Sequence, residues 1–239
     1  SFTFVATDEA GNISKKTVTI TNIDKVKPVI TIEPYNTKPT NQDVVVKATV
    51  DKGTLNATSH TFTENGSFTF VATDEAGNIS KKTVTITNID KVKPVITIEP
   101  YNTKPTNQDV VVKATTSKGK LNATSHTFTE NGSFTFTATD EAGNTVEKTV
   151  TISNIDKVKP VITIGDYTKT PTNKDIIVTA KVSKGTLNAT SHTFKENGSF
   201  TFTAKDEVGN IAEPVTIKIT NIDKVAPTVT ITNKDGKIT

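Results

Sequence analysis

The chain has 239 residues, a formal net charge of +3, and no Cys, Met or Trp. The lack of Cys removes disulfides, thiolate nucleophiles and cysteine-based metal centres. Charges of both signs are interspersed and no Arg occurs, which excludes the basic stripe and the bidentate readers that a nucleic-acid partner requires.

The opening phrase SFTFVATDEAGN (residues 1–12) returns unchanged at 67–78 and lightly edited at 133–144 and 199–210, a spacing of 66 residues. NIDK follows the same period at Asn22, Asn88 and Asn154; its last copy, at Asn221, comes 67 residues on. The inserted residue falls where IAEPV (211–215) replaces ISKK (79–82). Pro214 is tolerable there, because a strand's first residue or a bulge can spare a backbone donor. The period overrules the one or two domains that length alone predicts. It divides the chain into the end of one repeat (1–23), three whole repeats (24–89, 90–155 and 156–222) and the beginning of another (223–239). Each unit is small, so each core is thin and its stability modest.

Within the first whole repeat the elements read as short strands. Residues 28–33 alternate with β-branched side chains. Residues 43–50 set Val44, Val46, Ala48 and Val50 against Val45, Lys47 and Thr49. Asp51-Lys52-Gly53 marks a turn, as Lys38-Pro39-Thr40-Asn41 marks a loop before it. Residues 54–59 are the least defined and fit a short strand crossing between sheets. Asn65-Gly66, between two alternating runs, predicts a type I′ hairpin turn. Residues 67–73 place Phe68, Phe70 and Ala72 on one face, and 82–87 place Val84 and Ile86 opposite Thr83, Thr85 and Thr87. Between these runs, Asp74-Glu75-Ala76-Gly77-Asn78 closes a hairpin with Gly77 left-handed. A period of two with one apolar face marks half-buried strands, and Thr suits the wet face. No stretch carries a helical period. The fold class is all-β, with a core of Ile30, Ile32, Val46, Leu55, Phe62, Phe68, Phe70, Val84 and Ile86 in a compact β-sandwich.

TDEAGN before a closing strand and NIDKVKPVITI between units resemble tandem bacterial immunoglobulin-like domains of Gram-positive cell-surface proteins and adhesins. The resemblance covers the whole chain. Composition, rich in Lys, Asn, Ile and Thr, likewise resembles secreted proteins of low-G+C Gram-positive bacteria. The unit is shorter than larger immunoglobulin-like domains and lacks their Cys–Trp–Cys core signature. The resemblance implies small immunoglobulin-like sandwiches arranged end to end. The joint at 88–94 has no Gly and ends on Pro94, which makes it short and semi-rigid. Ile89 and Val92 are expected to pack at the interface. A strand of ~8 residues spans roughly 27 Å, giving a rod with a pitch of about 40 Å per unit.

Asp74, Glu75 and Asn78, with Asp24 nearby, form an oxygen-rich cluster of the kind calcium takes; the competing reading is a hydrogen-bonded turn of ordinary Asp and Asn. His60, His126 and His192 recur once per unit beside Phe62 and its equivalents, too far apart for one metal site, and read as structural. Ser59 and His60 face opposite ways on a strand and make no catalytic pair. Neither a carboxylate pair, a phosphate loop nor a nucleophile elbow is present. Lys47 points outward, so an internal Lys–Asn isopeptide has no inward Lys. The sequons at Asn56 and Asn65 are chance matches in an Asn- and Thr-rich chain.

The expected function is a non-enzymatic extracellular stalk or filament subunit whose partners are neighbouring repeats and identical chains in a fibre. One alternative is an adhesin binding glycan or host protein in every repeat, for which Tyr35, Tyr101 and Tyr167 are the only recurrent aromatic candidates. Another is a spacer in a secreted polysaccharide hydrolase. The partial repeats at either end read as a window on a longer array, or as strands donated between chains.

Overall fold

The computed structural model describes residues 1–231 and, beyond them, only the strands Asn233–Lys234 and Lys237–Ile238, which pair with each other. The first strand expected within 225–239 is not formed where the period puts it: residues 229–231, the equivalents of Ile30–Ile32, lie in no strand. Among the described residues every regular element is a β-strand, and the strands pair in antiparallel ladders.

Two compact units emerge: residues 1–96 with 116–122 and 137–147, and residues 97–115 with 123–136 and 148–239. In the first, β1 (Phe2–Thr7) and β2 (Ile13–Val18) form a hairpin. The first whole repeat supplies β3 (Ile30–Ile32), β4 (Val44–Val50), β5 (Thr54–Leu55), β6 (Ser59–Phe62), β7 (Gly66–Thr73) and β8 (Ile79–Ile86). Its two three-stranded sheets run β3-β4-β6 and β5-β7-β8. Alternation decides which residues turn inward. Val44, Val46 and Ala48 of one sheet meet Phe70, Ala72, Val84 and Ile86 of the other in a single apolar cluster with Phe62 and Ile30. Leu55, Phe68 and Ile32, expected inside, pack against that cluster half-buried.

The strand path differs from expectation at Asn65-Gly66. β6 and β7 lie in different sheets, so no hairpin joins them. Gly66 is not among the glycines with positive φ, whereas Gly53 (φ 80°) and Gly77 (φ 86°) are. The reason is packing: Phe62 is anchored against β4 and Phe68 and Phe70 against β8, so the chain must cross the core edge here rather than turn in plane. The expected crossing at 54–59 is present, because β5 pairs with β7 while β6 pairs with β4.

The second copy repeats the strand order with β9 (Ile96–Ile98), β10 (Val110–Thr116), β11 (Lys120–Leu121), β12 (Ser125–Phe128), β13 (Gly132–Thr139) and β14 (Thr145–Ile152), in sheets β12-β10-β9 and β11-β13-β14. The second unit contains the whole third copy: β15 (Ile162–Ile164), β16 (Ile176–Val182), β17 (Thr186–Leu187), β18 (Ser191–Phe194), β19 (Gly198–Phe202), β20 (Ala204–Lys205) and β21 (Val215–Ile219). Here the inserted residue breaks the ladder. The last strand shrinks to Val215–Ile219, and Ala212 N–H reaches back to the Ala204 carbonyl at 2.9 Å. Core residues Val178, Phe194, Phe202 and Ile219 keep their places.

Candidate functional site

The most elaborate constellation of polar groups lies at the joints, and it uses all four residues of NIDK together with the aspartate and asparagine of the TDEAGN loop. In NIDK the asparagine points backward. Asn88 Nδ2 donates to the carbonyls of Asn36 and Lys38 at 3.1 and 2.8 Å. Ile89 enters the core of the preceding repeat at 7% exposure, beside a parallel bridge to Thr40. Val92, expected beside it at the interface, is 70% exposed instead. Alternation explains the difference: once Ile89 is docked, Asp90 turns outward toward the following repeat and its Oδ1 caps the Val92 N–H. Lys91 reaches back to Asp43 at 2.7 Å.

Asp90 faces forward. Its Oδ2 accepts from Lys118 Nζ at 2.6 Å, and the same ammonium lies 2.9 Å from Asp140 Oδ2. Asp140 is the aspartate of the second TDEAGN loop. Its Oδ1 accepts the Asn144 backbone N–H at 2.8 Å and its Oδ2 the Asn144 amide at 2.9 Å. That amide also donates to the Asp90 carbonyl at 2.8 Å. Asn41 N–H donates directly to the Ala142 carbonyl at 2.9 Å, a main-chain bond between consecutive repeats. The joint in the second unit has the same parts: Lys184 between Asp156 and Asp206, Asn210 on the Asp156 carbonyl at 2.9 Å, and Asn154 on the Lys104 carbonyl at 2.7 Å.

The calcium candidates belong to the equivalent cluster at Asp24. Asp24, Asp74 and Asn78 do converge, while Glu75 is exposed and borders the same cleft as Asp24, Lys52 and Asp74. The cation in the cluster is Lys52 Nζ, 2.7 Å from Asp24 Oδ2 and 3.1 Å from Asp74 Oδ2. Asn78 turns its NH2 toward Asp74 and toward the Asp24 and Val26 carbonyls, so those oxygens already have a donor. Among the described residues no group of three or more His, Asp or Glu side chains is arranged to hold a metal ion.

Electrostatics follow the geometry. The Asp74 carboxyl, with its side chain only 4% exposed, is lowered from 3.8 to about 2 by the Asn78 amide first, then the Asn78 backbone and Lys52, against the upward push of burial. Burial is the strongest single influence on Asp140 and Asp206, and it pushes them upward. Lys118 with Asn144, and Lys184 with Asn210, outweigh it and bring both to about 2. Hydrogen bonding to Asp24 raises Lys52, with Asp74 adding to it.

Lys52 is delivered by the turn glycine. Gly53 has φ +80° and lies so close to β7 that a Cβ on it would sit 2.6 Å from the Asp74 Cα. Sequence reasoning treated Lys52-Gly53 only as a turn. The signal was nonetheless present: Lys-Gly persists at 52–53, 118–119 and 184–185 while the preceding residue changes from Asp51 to Ser117 and Ser183. Those changing residues share a smaller task, accepting the N–H of Val29, Val95 and Val161 at 2.7, 2.9 and 2.9 Å.

The other candidates are dispersed. His60 stacks on Phe68 at 4.0 Å and meets Phe62 edge-on at 4.6 Å, and His126 and His192 repeat this arrangement. Tyr35 and Tyr167 pack half-buried against the cores of their own repeats, Tyr167 with Lys169 Nζ 5.5 Å from its ring centre. Tyr35 borders a shallow groove with Glu33, Lys82 and Thr83, and Tyr101 borders its equivalent with Glu99, Lys148 and Thr149.

No protein-family model matches the chain. It is similar to hyalin of the sea urchin Strongylocentrotus purpuratus, 24% identical over 292 aligned positions that cover 95% of this chain. The chain spans about a quarter (24%) of that relative's length.

Proposed function

We propose that this chain is a non-enzymatic structural segment of an extracellular bacterial surface protein, a stalk or filament built of serial immunoglobulin-like sandwiches. The observation that carries the reading is the joint. Residues Asn88–Lys91 leave no free linker: Ile89 completes one core while Asp90 is bonded into the next repeat. A connection of that kind transmits orientation as well as tension between repeats, where a flexible tether would transmit tension alone. No helix among the described residues is long and apolar enough to cross a membrane, and the similarity to hyalin runs along nearly the whole chain.

Small-angle scattering of chains with two, three and four repeats tests the proposal. The expected result is a maximum dimension that grows in proportion to repeat number. Growth of the radius of gyration as roughly the 0.38 power of length, the law for one compact globule, overturns it. The recurrence of the Tyr35 and Tyr101 grooves favours a second reading, an adhesin engaging a glycan in each repeat. That reading requires Tyr35→Ala with Tyr101→Ala to abolish binding on a glycan array while leaving the scattering profile unchanged.

A further inference from the structure

The three Asn-Gly pairs, at Asn65, Asn131 and Asn197, form no hairpin; each asparagine grips the linker at a joint. Asn65 Nδ2 donates to the Ile89 carbonyl at 2.9 Å and Ile89 N–H donates to Asn65 Oδ1 at 2.8 Å. Asn131 holds Ile155 at 2.9 and 2.9 Å, and Asn197 holds Ile222 at 3.0 and 2.9 Å. This grip needs a carboxamide, one end giving a proton and the other accepting. A carboxylate has only acceptors and would set a negative oxygen against the Ile89 carbonyl.

Asn-Gly is also the pair best suited to attack itself. Gly66 has no Cβ to shield its backbone nitrogen, nothing lies within 4 Å of where a Cβ would stand, and both residues are exposed to water. The closed joint opposes the reaction twice over. The two hydrogen bonds fix the amide toward Ile89, and Gly66 is paired with Ile86 in the ladder. We propose that Asn65, Asn131 and Asn197 are self-modification sites that convert while their joints are open, so that the modified fraction is a permanent record of the time each joint has spent open. The Gly66 nitrogen bonds to the Asn65 Cγ and gives up its proton, while the Cγ–Nδ2 bond breaks and Nδ2 leaves as ammonia. Water then opens the cyclic imide at either carbonyl to give aspartate or isoaspartate. Amide and water become acid and ammonia, with no oxidant or reductant. The aspartate cannot donate to the Ile89 carbonyl, and isoaspartate lengthens the main chain, so the grip does not re-form.

The test follows site-by-site conversion in the full chain at mildly alkaline pH by peptide mass mapping that separates aspartate from isoaspartate. The comparison variant is Asn88→Ala, which removes the bonds to the Asn36 and Lys38 carbonyls at the first joint alone. In the unmodified sequence all three sites should convert at least roughly tenfold more slowly than the same Asn-Gly in a free synthetic peptide. In the variant Asn65 should accelerate roughly tenfold while Asn131 and Asn197 keep their rates, serving as internal standards. Conversion at the peptide rate in the unmodified chain, or equal rates at all three sites in the variant, overturns the proposal. If Asn88→Ala unfolds the first repeat, Asn65→Asp provides the second arm. Amide exchange at Ile89 and Asp90 should then rise roughly tenfold with the β4 and β7 amides unchanged, and an unchanged joint overturns the proposal.

Discussion

Replacing Ile89 by alanine tests whether the linker is part of the preceding fold. Ile89 is 7% exposed and packs with Ile30, Val44, Val46, Phe62, Phe70, Val84 and Ile86. The truncation removes three carbon atoms from a closed core. At about 0.8 kcal/mol per buried methylene, plus a cavity term, the cost is about 2–4 kcal/mol. Val92, three residues on and 70% exposed, should lose less than about 0.5 kcal/mol on truncation. Because a repeat array does not unfold as a single two-state unit, the assay is hydrogen exchange read repeat by repeat. The slowest amides of β4 and β7 should accelerate roughly 30- to 700-fold in Ile89→Ala, each factor of ten being about 1.4 kcal/mol. Those of β16 and β19 should not change. An effect of Val92→Ala equal to that of Ile89→Ala, or an Ile89→Ala effect spread evenly over all repeats, would refute the assignment of the linker to the repeat before it.

Acid should loosen the joints at a definite pH. Asp74, Asp140 and Asp206 titrate near 2 in the fold rather than at 3.8, so their stabilising contribution is complete above about pH 4 and is lost as the pH falls toward 2. A melting temperature that is flat from neutrality to pH 4 and then drops is the expected profile, and a drop centred above pH 5 would contradict it. The glycines make a paired prediction. Gly119→Ala puts a Cβ 2.5 Å from the Asp140 Cα at φ +74°, and should cost more than the about 1–2 kcal/mol of left-handed alanine alone, while displacing Lys118. Gly66→Ala meets open space and no positive φ, and should cost under about 1 kcal/mol; thermal unfolding of both variants checks the contrast. Calcium should leave the melting temperature unchanged, because an ammonium already lies between the joint carboxylates; a rise on adding calcium that chelator reverses would refute that assignment.

The strands were legible because period-two alternation reports directly which face is buried, and Val44, Val46, Phe70 and Ile86 are where that pattern puts them. Asn65-Gly66 was misread because local turn propensity is the same whether a chain folds back in plane or crosses to another sheet. Only the pairing of Phe62 with Val44 and of Phe68 with Val84 decides between them. The joint was half legible. Asp24, Asp74 and Asn78 were identified as converging oxygens, but their cation comes from Lys52, separated from Asp74 by a strand crossing that composition does not reveal. Asn65, Asn88 and Asp43 were missed for the same reason, since their partners lie between 24 and 52 residues away.

The division of contacts in the chain does not follow the division of its sequence. The first compact unit takes, together with the first whole repeat, residues 116–122 and 137–147 of the next copy: the Lys-Gly turn and the TDEAGN loop. These are the two segments that hold Asp90 through Lys118, Asp140 and Asn144. A joint is therefore split between adjacent copies, Asn88 to Lys91 coming from one and Lys118, Asp140 and Asn144 from the next, so duplicating the phrase as a whole supplies both halves without further change. The insertion in the third copy shows which parts must stay fixed. It breaks the ladder between 205 and 215 and shortens the last strand, yet Asn197 still holds Ile222 and Asn221 still reaches the Thr168 and Thr170 carbonyls. A strand can absorb an extra residue in a bulge, because its side chains recover their alternation within a few positions. The joint has no such freedom, since each of its residues bonds a specific partner in another element, and there the four letters NIDK are kept in every copy.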